Sequence, residues 1–216
     1  MDASSRRGRR FATLPRVSAH SLEWHNGLLY VAGGFRLSDD RSLNSFSAFN
    51  EATGRWEDLQ PMLYACRGAA SGVIGNELFI AGGYAEDNEG VRSTLQIYDI
   101  AGGSWRLGAA LPEPRTGAIG VVADGKLFVI ARLWSRDLLV YDPRSDTWAE
   151  EAPLSTVTNY NVAMVRSACA HKNRLVVFLS SGRAFERADD GSWCAYEVAE
   201  GASHLLFSVA ESVILG

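Results

Sequence analysis

The stretch Leu78-Phe79-Ile80-Ala81-Gly82-Gly83 decides the fold, because the chain contains its pattern twice in the same setting. The first copy stands 49 residues earlier, at Leu29-Tyr30-Val31-Ala32-Gly33-Gly34, and is again an apolar run that ends in two glycines. A polar loop and then a tryptophan follow each copy, and these tryptophans, Trp56 and Trp105, are also 49 residues apart. A constant displacement of this size indicates one supersecondary unit copied along the chain, and each copy needs neighbours to bury its faces.

Two weaker copies of the unit follow and end at Trp148 and Trp193. The third copy has Ala131-Arg132 in place of the glycine doublet, and the fourth has Leu179-Ser180. Glycine at such a point permits a positive φ and a close approach of two backbones. We therefore expect the local packing, but not the fold, to differ in the third and fourth units.

Each unit contains four short apolar runs separated by turn residues. Runs of about 4–8 residues that are rich in β-branched and aromatic side chains, joined by two-residue turns, predict antiparallel hairpins. Turns of this kind follow the first run of every unit, at Asn26-Gly27, Gly75-Asn76, Asp124-Gly125 and Lys172-Asn173. Because the runs are apolar on both faces, each sheet must be covered on both sides, and radial stacking into a β-propeller covers them.

The chain resembles the kelch-repeat family over about residues 11–216. The resemblance rests on the glycine doublets, on an aromatic residue seven positions before the tryptophan, and on an arginine that opens the first strand of a blade. The aromatic residues are Phe49, Tyr98 and Tyr141, and the arginines are Arg16, Arg67 and Arg115. The resemblance implies an all-β fold, the kelch-type β-propeller.

We predict four four-stranded antiparallel blades and an incomplete fifth blade built from both termini. The expected bounds are about 18–58, 69–107, 118–150 and 162–198 for the four blades, and 204–216 with 11–14 for the partial one. Residues 1–10 carry four arginines and are expected to form a disordered basic tail. The alternative is an open arc cut from a longer ring, which predicts self-association through exposed blade faces.

Composition narrows the class of partner and the cell compartment. The formal net charge is −4, which argues against nucleic acid as the general partner, and no apolar run approaches the ~20 residues of a membrane span. The three cysteines contain no CxxC pair, which indicates buried thiols in a reducing compartment rather than disulfides or a zinc site. We expect a cytoplasmic location, or a nuclear one if the basic tail acts as an import signal.

The candidate binding residues lie on the face that carries the longest loops. Arg16, Arg67 and Arg115 start the innermost strands and are expected to ring the mouth of the channel, where their guanidinium groups suit carboxylates or phosphates. Phe35 and Tyr84 directly follow the glycine doublets and are expected to flank these arginines as aromatic contacts. In kelch domains that recruit substrates to ubiquitin ligases, arginines at this repeat position grip acidic peptides, so the resemblance implies a partner protein of that kind.

A second interpretation of the same arginines is structural. They would then brace neighbouring blades or pair with acidic residues of the loops, and sequence alone does not separate an ion-pair network from a binding site. The acidic loop residues are Asp39, Asp40, Glu86, Asp87 and Glu89.

The sequence favours a non-catalytic protein-interaction module. The four histidines fall at positions that cannot converge on one metal ion, so we predict no metal site, and no cofactor-binding motif is present. One alternative is an enzyme of the same fold that binds or isomerises a sugar acid. Another is a truncated fragment of a larger kelch protein that serves as a ligase adaptor.

Overall fold

Every regular element of the described residues is a β-strand. The computed structural model describes residues 17–87, 89–131, 138–151 and 165–196, and these contain 19 strands in four four-stranded sheets and one three-stranded sheet. All strand pairs within the four larger sheets are antiparallel, and each sheet follows the order of the chain. The predicted all-β propeller with four four-stranded blades is confirmed.

The strands of each blade run from the innermost to the outermost in chain order. Blade 1 consists of β2 (Ser21–His25), β3 (Leu28–Ala32), β6 (Phe46–Asn50) and β7 (Arg55–Asp58). Blade 2 consists of β8 (Ala70–Ile74), β9 (Glu77–Ala81), β10 (Leu95–Asp99) and β11 (Ser104–Leu107). Blade 3 consists of β12 (Ile119–Ala123), β13 (Lys126–Ile130), β14 (Leu138–Asp142) and β15 (Thr147–Glu151). Blade 4 consists of β16 (Val165–His171), β17 (Arg174–Leu179), β18 (Ala184–Arg187) and β19 (Trp193–Tyr196).

The first turn of each blade has the predicted two-residue length. In blade 1, His25 pairs with Leu28, so that only Asn26 and Gly27 lie between the strands. Both residues have a positive φ, 49° and 78°, as a type I′ turn requires. Asn and Gly tolerate this conformation best, which is why the sequence identifies the turn. These turns lie on the face of the propeller opposite the long loops.

Three apolar cores lie between successive blades, whose innermost strands β2, β8, β12 and β16 are neighbours in that order. The core between blades 1 and 2 includes Tyr30 and Phe46 on one side and Ile80 and Trp105 on the other. The cores between blades 2 and 3 and between blades 3 and 4 are built in the same way. Blades 2 and 3 therefore bury both faces against neighbours within the described residues, as the runs that are apolar on both faces predicted, and blades 1 and 4 each bury one face in these cores.

The tryptophans of blades 2 and 3 tie each of these blades to the one before it. The indole N–H of Trp105 donates to the carbonyl oxygen of Gln60 at 2.8 Å, and that of Trp148 donates to Ala109 at 2.8 Å. The buried Nε1 of Trp56 has no hydrogen-bond partner within the described ranges. The predicted fifth blade would adjoin this side of blade 1, but its residues, like the predicted tail 1–10, lie outside the described residues.

The long loops of blades 1 and 2 contain structure that the sequence did not predict. The three-stranded sheet consists of β1 (Val17–Ser18), β4 (Phe35–Arg36) and β5 (Arg41–Ser42), so the loop after the first glycine doublet is a hairpin. In blade 2 the same arrangement appears as single bridges that join Arg67 to Tyr84 and Tyr84 to Val91. Both hairpins stand on the long-loop face and bring their side chains together there.

Candidate functional site

The glycine doublets position the hairpins of the long-loop face. Gly82 and Gly83 have φ values of +70° and +98°, and a Cβ on Gly82 would meet the carbonyl oxygen of Arg115. The N–H of Gly83 donates to the same oxygen at 2.7 Å. In blade 1, the N–H of Gly34 donates to the carbonyl oxygen of Cys66 at 2.9 Å. Each doublet thus lets the second strand of a blade end against the chain that enters the next blade.

Arg67 lies between the rings of Phe35 and Tyr84. Its guanidinium carbon is 4.7 Å from the centroid of the Phe35 ring and 5.0 Å from that of Tyr84. The backbones of Arg67 and Tyr84 also exchange two hydrogen bonds of 2.9 Å. Three of the five predicted site residues therefore meet in one cluster, held by cation–π contacts and a fixed backbone.

Two loop carboxylates pair with the same guanidinium group. Nη1 of Arg67 is 2.7 Å from Oδ1 of Asp40, and Nη2 is 3.0 Å from Oε1 of Glu86. The hydrogen bond to Asp40 raises the pKa of Arg67. Desolvation raises the pKa of Glu86, but hydrogen bonds from Ser42 and the charge of Arg67 contribute to a net pKa below its ordinary value. The ion pairs expected under the structural interpretation are therefore present at Arg67.

The carboxylate of Glu86 also joins the hairpins of the two blades. The backbone N–H of Ser42 donates to Oε2 of Glu86 at 2.7 Å, and the Ser42 hydroxyl donates to Oε1 at 3.1 Å. The distance from this hydroxyl to the carbonyl oxygen of Tyr84 is also 3.1 Å. The cluster therefore spans blades 1 and 2 as one hydrogen-bonded unit.

Arg92 is a second arginine of this face, which the sequence analysis did not single out. It is buried and forms ion pairs with Asp87 and Glu89 of its own loop. Its Nε donates to the carbonyl oxygen of Ala65 at 3.2 Å, and its guanidinium lies 5.2 Å from the centroid of the Tyr64 ring. The signal available in the sequence was the pair of acidic residues three and five positions before it.

Arg115 does not occupy the position that corresponds to Arg67. Its carbonyl oxygen binds the second doublet as that of Cys66 binds the first, so Arg115 corresponds to Cys66. Its side chain is buried, and Nη2 lies 3.8 Å from Oε2 of Glu113. Thr116 then corresponds to Arg67. Arg16, the third predicted arginine, lies outside the described residues.

The loops that form the Arg67 cluster and their neighbours on this face also carry exposed apolar side chains. They project from the loops of blades 1 and 2 on the same face, and they are Leu37, Leu63, Tyr64 and Val91. We name this surface the rim platform and define it by residues 35–42, 63–67, 84–87 and 89–92. Clustered exposed apolar residues with charged neighbours are typical of a binding surface.

Other titratable groups lie deeper in the molecule. Glu23 on the innermost strand of blade 1 accepts a hydrogen bond of 2.6 Å from the hydroxyl of Ser71. Burial raises the pKa of Glu23, and the bond from Ser71 opposes that effect in part. Burial lowers the pKa of His20. Within the described ranges, no group of three or more His, Cys, Asp or Glu side chains is placed to hold a metal ion.

Of the three cysteines predicted to be buried, only Cys66 is. It packs in the core between blades 1 and 2, whereas Cys169 and Cys194 are exposed. The prediction was wrong for these two because they lie on blade 4, on its innermost strand β16 and its outermost strand β19. The part of the chain that the structure describes has no helix long and apolar enough to cross a bilayer.

Comparison with known proteins agrees with the repeat. The family model described as "Kelch motif" matches residues 16–63 and 65–112. "Kelch repeat and BTB domain-containing protein 12" of Danio rerio is 30% identical over 184 residues, which cover 71% of this chain and 29% of that protein. The Homo sapiens protein of the same name is 29% identical over 167 residues, which cover 65% of this chain and 27% of that protein. The chain thus spans less than a third of the length of these curated relatives.

A solved structure shows a similar architecture. The structure titled "Structure of YjhT" superposes with a TM-score of 0.69 at 14% sequence identity, over 89% of this chain and 68% of the other. At that identity the likeness shows the fold alone. Taken together, the Kelch motifs, the named relatives and the four stacked blades show that this chain belongs to the kelch-repeat family.

Proposed function

We propose that the chain is a non-catalytic interaction module that binds a partner protein on the rim platform. The observation that carries the proposal is the group of exposed apolar side chains around a pre-arranged arginine and its two aromatic neighbours. Aromatic residues and arginine dominate the binding energy of many protein interfaces, and Arg67, Tyr64 and Tyr84 supply both types here.

The platform is rigid enough to bind at a low entropic cost. Ser42 fixes the hairpin of blade 1 to Glu86 of blade 2, and Arg92 fixes the blade 2 loop to the carbonyl oxygen of Ala65. The buried side chain of Gln96 makes two further hydrogen bonds to the backbone of Tyr64, at 2.9 and 3.2 Å. Loops ordered before binding lose less entropy when a partner docks, which favours affinity.

Membership of the kelch-repeat family supports the same function. The resemblance implied partner binding on this face, and the named relatives combine Kelch repeats with a BTB domain in longer chains. By analogy with these longer proteins, we propose that the chain supplies the partner-binding part of an adaptor.

An acidic peptide was the more specific expectation. It would have to take Arg67 from Asp40 and Glu86, which already hold both ends of the guanidinium fork. The same obstacle meets a sugar acid at this arginine. The proposal therefore concerns a protein partner on the platform as a whole, and the charge of that partner is a separate question.

The test is a quantitative pull-down from a lysate of the source cells with two matched double variants. The rim variant is Tyr64→Ala with Arg67→Glu. The control is Trp24→Ala with Arg174→Glu on the opposite face, where Trp24 is 49% exposed against 40% for Tyr64, and Arg174 also pairs with two carboxylates. We expect mass spectrometry to show partners that the rim variant loses and the control keeps. Equal retention by the two variants contradicts the proposal.

A further inference from the structure

We propose that the segment bound by the rim platform is basic, with lysine or arginine set between apolar side chains. This inference rests on the proposed function, because it names the chemistry of the partner for that same surface. It follows from where the structure places the two signs of charge relative to the exposed apolar residues.

In both ion-pair clusters the carboxylate lies outermost and the guanidinium lies beneath it. The side chain of Asp40 is 74% exposed and that of its partner Arg67 is 22% exposed. The side chain of Glu89 is 66% exposed and that of Arg92 is 2% exposed. An approaching partner therefore meets negative charge first at both clusters.

The balance of exposed charges over the whole platform has the same sign. Two exposed arginines, Arg36 and Arg41, project from the blade 1 hairpin, and Arg36 is paired with Asp39 at 3.1 Å. The exposed carboxylates of the platform number five: Asp39, Asp40, Glu86, Asp87 and Glu89. A surface of this kind raises the rate at which a cationic segment associates and slows an anionic one.

The carboxylates also keep acceptor sites for a partner. The contact between Asp40 and Arg67 uses Oδ1 of the carboxylate, and the contact between Glu89 and Arg92 uses Oε2. Among the residues that the structure describes, the second oxygen of each group forms no hydrogen bond and is open to a donor from the partner. A guanidinium or ammonium group can therefore add to these ion pairs without breaking them, whereas an acidic side chain must displace them.

The exposed apolar side chains of the platform indicate which residues flank the basic side chains in the partner segment. Leu37 lies in the blade 1 hairpin that holds Asp40, and Val91 adjoins Glu89 and Arg92 in the blade 2 loop. Tyr64 lies against the guanidinium of Arg92 with part of its ring exposed. A segment that alternates basic with aliphatic or aromatic residues places each type against its complement.

Selection of displayed random dodecapeptides on the wild-type protein tests both the surface and the charge. Enriched peptides are then measured by fluorescence anisotropy at low and moderate salt on three variants. Asp40→Asn with Glu89→Gln removes charge but keeps shape, and Leu37→Ser with Tyr64→Ala removes the apolar contacts. Asp189→Asn, beside Arg174 on the opposite face, is the control.

We expect net positive peptides that bind the charge variant and the apolar variant at least tenfold more weakly and bind the control as they bind wild type. Enriched peptides that are acidic or neutral, or whose affinity the charge variant leaves unchanged, overturn the basic partner while the platform stands. Peptides that ignore the apolar variant as well, or no enrichment at all, overturn the proposed function itself. Thermal melting of each variant shows whether a loss reflects unfolding.

Discussion

The starts of blades 2 and 3 place different residues at the same two backbone positions. Blade 2 begins after Cys66 and Arg67, and blade 3 begins after Arg115 and Thr116. At the first position the side chain enters a core between blades, and at the second it faces the loops. An arginine at the first position is buried beside Glu113, and an arginine at the second reaches two aromatic rings. A displacement of one residue therefore decides whether an arginine belongs to the scaffold or to the surface.

The largest loss of stability should come from a substitution at Gly82, in the doublet that contacts the backbone of Arg115 at the start of blade 3. Gly82→Ala places a methyl group against the carbonyl oxygen of Arg115 and forces a φ of +70° on alanine. We expect a loss of about 3 kcal/mol or more in the free energy of unfolding, measured by urea titration.

Gly125→Ala is the matched control for that substitution. Gly125 has a φ of +65°, but a Cβ there meets no atom within 4 Å. We expect this variant to lose only about 1–2 kcal/mol, the intrinsic cost of the left-handed conformation. Equal losses for the two glycines would mean that close contact with Arg115 does not constrain the doublet.

Replacing Arg92 and Arg67 one at a time should distinguish an arginine that stabilises the fold from one that serves the binding surface. Arg92→Met deletes a buried guanidinium with hydrogen bonds to Ala65 and to its own loop, so we expect a loss of about 2 kcal/mol. Arg67→Met deletes partly exposed ion pairs, so we expect a loss of less than about 1 kcal/mol in stability. We also expect weaker peptide binding, because Asp40 and Glu86 lose the group that holds them in place. Urea titration and fluorescence anisotropy measure the two quantities. The reverse order of stability losses would contradict the assignment.

The thiol of Cys66 should not react with thiol reagents in the native protein. Burial raises the pKa of Cys66 to about 12, so its reactive thiolate is absent at pH 8. Cys194 is exposed, and Cys169 is also exposed although partial burial raises its pKa. With the disulfide reagent DTNB we expect rapid reaction at Cys194, slower reaction at Cys169, and reaction at Cys66 only after denaturation. Three thiols that react at once in the native protein would contradict the packing of Cys66.

The smallest effect concerns Glu23, a half-buried carboxylate on the innermost strand of blade 1. Burial raises the pKa of Glu23 above its ordinary value of 4.5, so its contribution to stability is full below that value and is lost as pH rises through the folded-state pKa. Glu23→Gln is neutral throughout. We therefore expect a higher melting temperature than wild type at pH 7, and a difference that shrinks at pH 4. The same substitution at the exposed Glu57, Glu57→Gln, is the control for removing a carboxylate from the surface.

Much of the fold was readable from the sequence, because its signals are local. The tryptophans mark the outermost strands, and turns such as Asn26-Gly27 require a conformation that few residues adopt. The grouping of Arg67 with Phe35 and Tyr84 was also predicted, since Phe35 and Tyr84 directly follow the glycine doublets and Arg67 opens the first strand of a blade. The bridges that turn the two long loops into hairpins were not predicted, because they pair residues of polar segments without an apolar alternation.

The sequence pattern did not show that the side chains of Arg67 and Arg115 point to opposite sides of the chain. Arg67 and Arg115 are 48 residues apart, whereas the glycines that follow them, Gly68 and Gly117, are 49 apart. Because successive residues of an extended chain point to opposite sides, this difference of one residue reverses the side chain. Arg92 was missed for another reason: its burial depends on a loop that folds back over it.

The most direct measurement of the central claim is hydrogen exchange of the whole chain with and without a saturating peptide selected on it. If the rim platform is the binding surface, exchange slows in the loops at 35–42 and 63–67, and the opposite-face turns at 25–28, 123–126 and 171–174 exchange at the same rate as in the free protein. Slower exchange at those turns, with no change in the loops, would contradict it.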